Sequence, residues 1–307
     1  MSSQSNAMNG SSLGPQGIAP AAFSATRPFF WSLRRELWEN RLIYLVPLAA
    51  AAVFLVAYLI SILALPGHRM RTVLALAPAK QRAQIELPYE LSAALIMGTA
   101  LIVGIFYSLD ALYGERRDRS ILFWKSMPVS DLTTVLSKLA VPLVIIPVLS
   151  YAIAVVTQFI MLLLASAVSV GSGANIAALW TQQSVFHSSL ALFYHMLTVH
   201  GLWYAPLYGW LFLVSGWAPR APFVWAVLPP FVICGVEKIA FNTTYFLSLL
   251  NVRLMGPPDP EMTKNADFMS TLIPHHFFDQ PGLWAGLAVA AVFLVIAVRL
   301  RRYRGPI

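Results

Sequence analysis

The residues of this chain that most resemble a metal-ligand set are its six histidines. His195 and His200 are five residues apart, which places them about 140° from each other around an α-helix, whereas an HExxH zinc motif needs both histidines on one face. His275 and His276 are adjacent, with Asp279 as the one nearby carboxylate. We therefore interpret the histidines as structural residues, and a membrane-embedded metalloenzyme is poorly supported.

Nucleotide chemistry would require a phosphate-binding loop, and the sequence contains none. The pattern GxxxxGK followed by Ser or Thr does not occur, and there is no Gly-Lys dipeptide. The single cysteine, Cys234, lies within an apolar run, so we expect neither a disulfide framework nor a thiolate metal site. We predict no cofactor on this chain. If ATP powers the protein, another polypeptide binds it.

Glu237 and Lys238 are the charged residues closest to the interior of an apolar run. Ionisable residues within a membrane are costly and are usually retained for a function, so the pair is a candidate gate on a substrate path. A helix that begins at Pro222 rises about 22 Å over fifteen residues, which places the pair near a membrane interface, where it would serve as an anchor. Both interpretations stay open.

Aromatic and polar residues are concentrated in the apolar run at residues 190–217. A helix that faces only lipid has little use for them, and an aromatic belt accounts only for those near the two ends. The wall of a translocation path would be amphipathic in this way. We therefore predict a substrate path formed by Tyr194, His195, Tyr204, Tyr208 and Glu237.

Composition places the whole chain in a membrane. Hydrophobic residues make up 58% of it and charged residues 11%, whereas ordinary soluble domains carry about 25% charged residues. Long uncharged runs suffice to cross a hydrocarbon core of about 30 Å. We predict an all-α integral membrane protein with six transmembrane helices, at residues 42–65, 91–109, 141–169, 190–217, 222–236 and 283–298. The fifth is expected to continue to about Phe241.

The basic residues indicate how these spans are oriented. The net charge is +8, but Lys and Arg cluster at the ends of apolar runs, which favours contacts with lipid headgroups over nucleic-acid binding. One side of the predicted topology carries fourteen of them and the other six, with Lys238 inside the fifth span. The positive-inside rule therefore predicts that both termini and residues 113–138 are cytosolic.

The segments outside the spans have their own patterns. Residues 1–28 are rich in small and polar residues and are expected to be a disordered tail, followed by one membrane domain at residues 29–307. Residues 29–41 form an amphipathic helix with Arg35, Glu36 and Glu39 opposite its apolar arc, which indicates either an interfacial helix or an extension of the first span. The outer residues 242–282 contain apolar pieces too short to span, which fit re-entrant helices or a surface loop.

The charged segment, residues 113–138, contains five basic and three acidic residues between two apolar runs. A topology signal would need only a few lysines and does not account for Phe123 and Trp124. The apolar stretch at residues 121–124 gives a short helix a surface for a groove on a soluble partner, with basic residues at its rim. We expect Pro128 to end this helix and Ser130 to cap the next one.

Two motifs in the charged segment resemble the loop of type-2 ATP-binding-cassette exporter permeases. The first is ERRDRSIL at residues 115–122, and the second is MPVS at residues 127–130, followed by Lys138 at the start of the third span. Family members usually have Gly-Thr where this chain has Ser120-Ile121. The number of spans, the amphipathic N-terminal helix and the long outer segment fit the same family.

The resemblance implies a permease subunit whose loop forms a coupling helix on a separate cytosolic ATPase, which would bind ATP and Mg²⁺. The implied docking residues are Glu115, Arg116, Arg117, Arg119, Ile121, Leu122, Phe123, Trp124 and Lys125. A permease of this size supplies half of a path in this family, so the resemblance also implies a homodimer with two ATPase copies.

We therefore predict a non-enzymatic permease of an ATP-driven exporter in the cytoplasmic (inner) membrane, which moves a hydrophobic or amphipathic substrate. One alternative is a membrane scaffold or sensor that docks a cytosolic partner through the same segment. Another is a secondary transporter, for which the uncharged spans offer few of the carboxylates that a proton or sodium site needs.

Overall fold

The computed structural model describes residues 26–64, 78–127, 129–170, 185–256 and 277–307, and the regular structure in these ranges is helical. Five helical stretches in the described ranges are long and apolar enough to cross a membrane. They are Leu42–Leu63, Gln84–Arg117, Asp131–Val168, Pro222–Phe241 and Pro281–Tyr303. The predicted class of all-helical, multi-pass membrane protein is therefore confirmed.

Twelve α-helices make up the described part of the chain. They are α1 (Thr26–Glu39), α2 (Leu42–Ala64), α3 (Pro78–Asp110), α4 (Tyr113–Arg117), α5 (Ile121–Ser126), α6 (Asp131–Ala140), α7 (Ile146–Val170), α8 (Val185–His195), α9 (Ala205–Trp217), α10 (Pro222–Phe241), α11 (Tyr245–Met255) and α12 (Pro281–Tyr303). The π-helical segments π1 (Val141–Ile145) and π2 (Met196–Trp203) join α6 to α7 and α8 to α9. A 3₁₀ turn (Phe277–Asp279) precedes α12.

The predicted span at residues 190–217 is not a single α-helix. It consists of most of α8, then π2, a turn at Tyr204, and α9. Pro206 provides the physical reason, because it has no N–H to donate and its ring would clash with the carbonyl four residues earlier in a continuous α-helix. The wider π turn, in which Tyr204 N donates to Val199 O at 3.0 Å, accommodates the proline. The arrangement with six spans stays a prediction.

Other sequence boundaries can be compared directly with the helices. The helix predicted at residues 29–41 is present as α1, but it begins at Thr26 and ends at Glu39, and α10 ends at Phe241 as expected. Pro47 and the pair Pro229–Pro230 lie inside continuous helices, as neighbouring helices allow in a membrane. The first apolar piece of the outer segment forms α11, whereas residues 1–25 and most of the second piece lie outside the described residues.

The helices pack in two groups, and small residues make the closest contact of one group possible. α9 and α12 form the closest pair, where Gly209 and Gly216 of α9 face Ala290 and Ala297 of α12. Small residues at this spacing let helix backbones approach in a membrane. α2, α3 and α7 pack against one another, and α3 also contacts α9, which joins the two groups. At one end of the molecule α6 contacts both α1 and α12, around the charged segment.

We expect Gly209→Val to lower the free energy of unfolding by about 1–3 kcal/mol, as overpacking does in a tight contact. A Cβ at Gly209 would lie 3.3 Å from the Cα and carbonyl oxygen of Ala290, and backbone atoms cannot move aside alone. Unfolding titrations in mixed micelles measure the change. The matched control is Gly235→Val, because nothing lies within 4 Å of a Cβ at that position. Equal losses in the two variants would contradict the close contact.

Candidate functional site

The charged segment forms two ordered short helices. Arg119 joins α4 to α5 with a φ of 59°, a left-handed conformation that is uncommon for a residue other than glycine. α5 ends at Ser126, before Pro128, as predicted. Ser130 Oγ accepts a hydrogen bond from Thr133 N at 3.1 Å, so the predicted N-cap of α6 is also confirmed.

Five charged side chains from four helices meet in and beside this segment, and we call them the charge cluster. They are Arg35 and Glu36 of α1, Glu115 of α4, Lys138 of α6 and Arg301 of α12. All but Arg35 are less than 8% exposed. Asp131 lies at the edge, 3.6 Å from Arg301 Nε, so three cations face three carboxylates.

Lys138 lies at the centre of the charge cluster. Its Nζ is 2.8 Å from Glu36 Oε1 and 3.3 Å from Glu115 Oε1. Arg35 Nη2 contacts the same two oxygens at 2.8 and 3.6 Å. Arg301 Nη2 lies 3.1 Å from Glu115 Oε2. Each buried carboxylate is therefore compensated by at least two cations, which is the condition for burying charge at a tolerable cost.

Glu36 is the more fully satisfied of the two central carboxylates. Tyr107 of α3 donates its hydroxyl to Glu36 Oε2 at 2.9 Å. Burial by itself raises the pKa of Glu36, but the charge and hydrogen bond of Lys138, helped by Arg35, outweigh burial and hold that pKa below its ordinary value of 4.5. Glu36 is therefore ionised at neutral pH and attracts both cations.

Glu115 is held in a different way. Both of its carboxylate oxygens are buried, and no group in the described ranges donates a well-aligned hydrogen bond to them. Lys138 and Arg301 therefore hold Glu115 through charge at 3.1–3.3 Å. A cavity of about 300 Å³ lies beside Glu115 and Ser120.

Further contacts tie α4 to the end of α9. Arg116 Nη1 donates to the carbonyl oxygens of Gly216 at 2.8 Å and Ala218 at 3.2 Å. Ser215 Oγ accepts from two backbone N–H groups at the start of α4, both at 2.9 Å. The last carbonyls of a helix lack partners within it, so Arg116 satisfies groups that would otherwise be buried and unpaired.

α5 is held by α1 and by the end of α12. The Arg35 guanidinium lies 3.6 Å from the ring centroid of Trp124, a cation–π contact. Lys125 Nζ donates to the carbonyl oxygens of Arg302 at 3.3 Å and Arg304 at 3.2 Å. The charged segment is therefore in direct contact with α1, α9 and α12.

The nine predicted docking residues divide into two groups. The anchored group makes these contacts within the chain and comprises Glu115, Arg116, Ile121, Trp124 and Lys125. The exposed group comprises Arg117, Arg119, Leu122 and Phe123. Leu122 and Phe123 are each 59% exposed, which is unusual for apolar side chains on a polar segment. The docking role itself stays a prediction.

The charge cluster is what reading the sequence missed. Arg35 and Glu36 do lie opposite the apolar arc of the N-terminal helix, but it is their charged side of the helix that faces the protein interior. The apolar arc carries exposed aromatic residues, with Phe30 and Trp31 about 60% exposed. In the sequence these residues appear only as charges that flank apolar runs on one side of the membrane. The positive-inside rule explains such charges as well as a buried cluster does.

The predicted path residues do not form one surface. Tyr208 is 1% and Tyr204 7% exposed, so both lie in the core of the single chain, whereas Tyr194 and His195 are partly buried. The Tyr204 hydroxyl donates to Leu254 O of α11 at 3.1 Å. Their role in a path stays a prediction.

The π-helical geometry brings His195 and His200 closer together than predicted. The angle of about 140° between His195 and His200 assumed a regular α-helix. The π turn widens the helix, and the two rings lie 5.7 Å apart between centroids, with His200 also 5.3 Å from Tyr204. No group of three or more potential metal ligands occurs among the described residues.

Glu237 has a structural contact that neither the gate nor the anchor interpretation includes. Its carboxylate accepts hydrogen bonds from Tyr245 N at 2.6 Å and Phe246 N at 2.9 Å, and from Thr243 Oγ1 at 2.8 Å. Because the first N–H groups of a helix lack internal partners, Glu237 of α10 caps the N-terminus of α11. Glu237 and Tyr204 therefore hold opposite ends of α11.

Comparison of the chain with protein-family models and with curated proteins gives no match.

We expect Lys138→Met to lower the free energy of unfolding by about 3–5 kcal/mol, because it leaves Glu36 and Glu115 buried with too little compensating charge. Unfolding titrations in mixed micelles at neutral pH measure the loss. Lys238→Met is the matched control, since Lys238 is exposed and its Nζ donates only to Asn242 Oδ1 among the described residues. A loss in Lys138→Met no larger than in the control would show that the cluster contributes little.

The lowered pKa of Glu36 predicts a pH dependence. A depressed carboxylate pKa adds stability that is complete above the unfolded pKa, near 4.5, and is lost as pH falls through the folded pKa. The stability difference between the natural protein and Glu36→Gln should therefore be constant above about pH 5 and shrink below pH 4.5. Glu39→Gln, at an exposed position of the same helix, should show only a small difference at any pH. A difference that grows on acidification would be inconsistent with the lowered pKa.

Proposed function

We propose that this chain is the membrane-spanning permease subunit of an ATP-driven exporter and that the charged segment docks a separate cytosolic ATPase. The observation that carries the proposal is the division of this segment into an anchored group and an exposed group. α5 presents Leu122 and Phe123 outward while the opposite side of the same helix is held by the protein. A docking element that transmits force needs both properties.

Leu122 and Phe123 suit the centre of a contact with a soluble partner. Apolar anchors that enter a groove contribute most of the affinity at protein interfaces, and charges at the rim set the orientation. Arg117 and Arg119 lie next to them and are exposed. An anionic or polar rim around an apolar groove on the ATPase would complement this surface.

The anchored group supplies the mechanical connection. Movement of α5 would be transferred to α1 through the contact of Trp124 with Arg35, and to α12 through Lys125. Through Glu115, the neighbouring α4 would be coupled to Lys138 of α6 and Arg301 of α12. Association of two ATPase subunits would move two such segments together and thereby shift the membrane helices. The chain itself carries no phosphate-binding loop, so ATP hydrolysis belongs to the partner.

The proposed orientation places the charged segment in the cytosol, in accord with the positive-inside distribution. α1 would then lie in the cytosolic interface. Arg34 lies 5.5 Å from the Trp31 ring and 5.6 Å from the Trp38 ring, and both tryptophans are at least 60% exposed. Aromatic rings with a snorkelling arginine between them are typical of a helix at the headgroup level.

We further propose a homodimer with the substrate path between the two copies. α2 and α10 bury little of their apolar surface within the chain, so lipid or a second copy must cover them. Tyr208 would reach a substrate in this arrangement only if α9 separates from α3, where Tyr208 packs against Gly104. A hydrophobic or amphipathic substrate suits such aromatic surfaces.

The test is the double variant Leu122→Asp and Phe123→Asp, coexpressed with a candidate P-loop ATPase that co-purifies with the natural protein. We expect loss of co-purification, at least tenfold, because two carboxylates would have to be buried in an apolar groove. Thermal stability in detergent should change little, since both side chains are exposed. Tyr303→Asp, at a residue 79% exposed at the same end, is the control and should retain the complex.

Retention of the ATPase by the double variant would exclude this docking surface. An ATP-turnover assay on the intact complex separates an exporter from a scaffold or sensor. An exporter should show substrate-dependent stimulation of turnover, whereas a scaffold would form the complex without it. A secondary transporter would form no such complex and would depend on an ion gradient.

A further inference from the structure

A large cavity lies at the end of the molecule opposite the charged segment, and we call it the Arg253 cavity. It has a volume of about 700 Å³, is open on one side, and is lined by residues of π2, α9, α10, α11 and α12. Its lining is apolar and includes Trp210, Ile233, Leu249 and Phe293. Arg253 is the one charged side chain among the described residues that line it. Volumes of this size are typical of small-molecule sites.

Arg253 is positioned by the cavity wall. Its guanidinium lies 4.3 Å from the Trp203 ring centroid, and Nη1 donates to Trp203 O at 3.2 Å. Nη2 donates to Gly282 O. A Cβ at Gly286 would lie 2.6 Å from Arg253 Cζ, so the glycine leaves the space that the guanidinium occupies. The side chain is therefore held at one edge of an apolar space.

The charge of Arg253 is not neutralised by its described neighbours. No carboxylate in the described ranges lies within salt-bridge distance, and a guanidinium has five N–H donors, of which two are used here. Burial lowers the pKa of Arg253, which reflects the cost of holding a charge beside apolar surface. An anion bound to the remaining donors would offset that cost, and guanidinium binds phosphate well.

We propose that the Arg253 cavity binds one membrane phospholipid with an anionic headgroup, whose phosphate contacts Arg253 and whose acyl chain fills the space between α10 and α12. A free anion would use Arg253 but leave the apolar space empty. A neutral hydrocarbon would fill the space but leave Arg253 without a counter-charge. Because the membrane spans are surrounded by lipid, acyl chains are the apolar groups available to enter the cavity. The site does not depend on the proposed transport function.

The experiment uses the full chain, delipidated in detergent and titrated with phosphatidylglycerol, with bound lipid counted by native mass spectrometry. We expect one retained phosphatidylglycerol per chain, with at least a tenfold preference over phosphatidylcholine. Arg253→Gln should weaken phosphatidylglycerol binding at least tenfold, and Arg253→Lys should restore part of it. Arg220→Gln removes an exposed arginine outside the cavity and should bind as the natural protein does.

A second variant and a competition experiment test the site independently of Arg253→Gln. Ala285→Phe narrows the cavity without changing Arg253, so it should also reduce lipid binding. This variant tests whether lipid occupies the cavity even if Arg253→Gln does not fold. Inorganic phosphate in excess should not displace the lipid, because the acyl chain contributes most of the contact. Equal binding by the natural protein and Arg253→Gln, equal binding of phosphatidylcholine, or full displacement by phosphate would each overturn the proposal.

Discussion

The burial of charge at one end of this protein constrains everything around it. Removing two cations and two carboxylates from water is costly unless every charge finds its partners, and here they are Lys138, Arg301, Glu36 and Glu115. Those partners come from α1, α4, α6 and α12, which are separated by up to 265 residues in sequence, from Glu36 to Arg301. The cost is offset only when all four helices are in place, so the cluster specifies one arrangement of the helix ends.

The charged segment acquires its form from this constraint. A polar connection between two spans would ordinarily be free in solvent, yet here Glu115 and Ile121 are buried and Lys125 contacts the end of α12. Because one side of α5 is fully used in these contacts, Leu122 and Phe123 have no position within the chain and remain outside. The exposed surface is thus a direct result of the anchoring.

α12 relates the two ends of the molecule. Its 23 residues extend for about 35 Å, with Gly282 and Gly286 beside Arg253 at one end and Arg301 in the charge cluster at the other. Between these ends it packs closely on α9 through glycine and alanine. The π segments in the same bundle also touch, since a Cβ at Gly201 would lie 3.1 Å from Leu143 O. Prolines in or next to the π segments interrupt the regular α-helical hydrogen bonds, and close packing stabilises the π-helical turns.

Local properties of the chain were enough to predict the helical membrane class, the approximate position of most spans, the end of α5 and the Ser130 cap. These features depend on hydrophobicity and on residues a few positions apart, so they can be read one segment at a time. The π turn near Pro206 was not predicted from the sequence, because the long apolar run favours one continuous helix there while the proline disfavours it. The partners of Glu36, Glu115 and Glu237 were decided by folding alone, because each depends on which helix ends meet. Unpaired charges at a membrane surface would set the topology equally well. Only the packing of the helices shows that these charges are paired and buried.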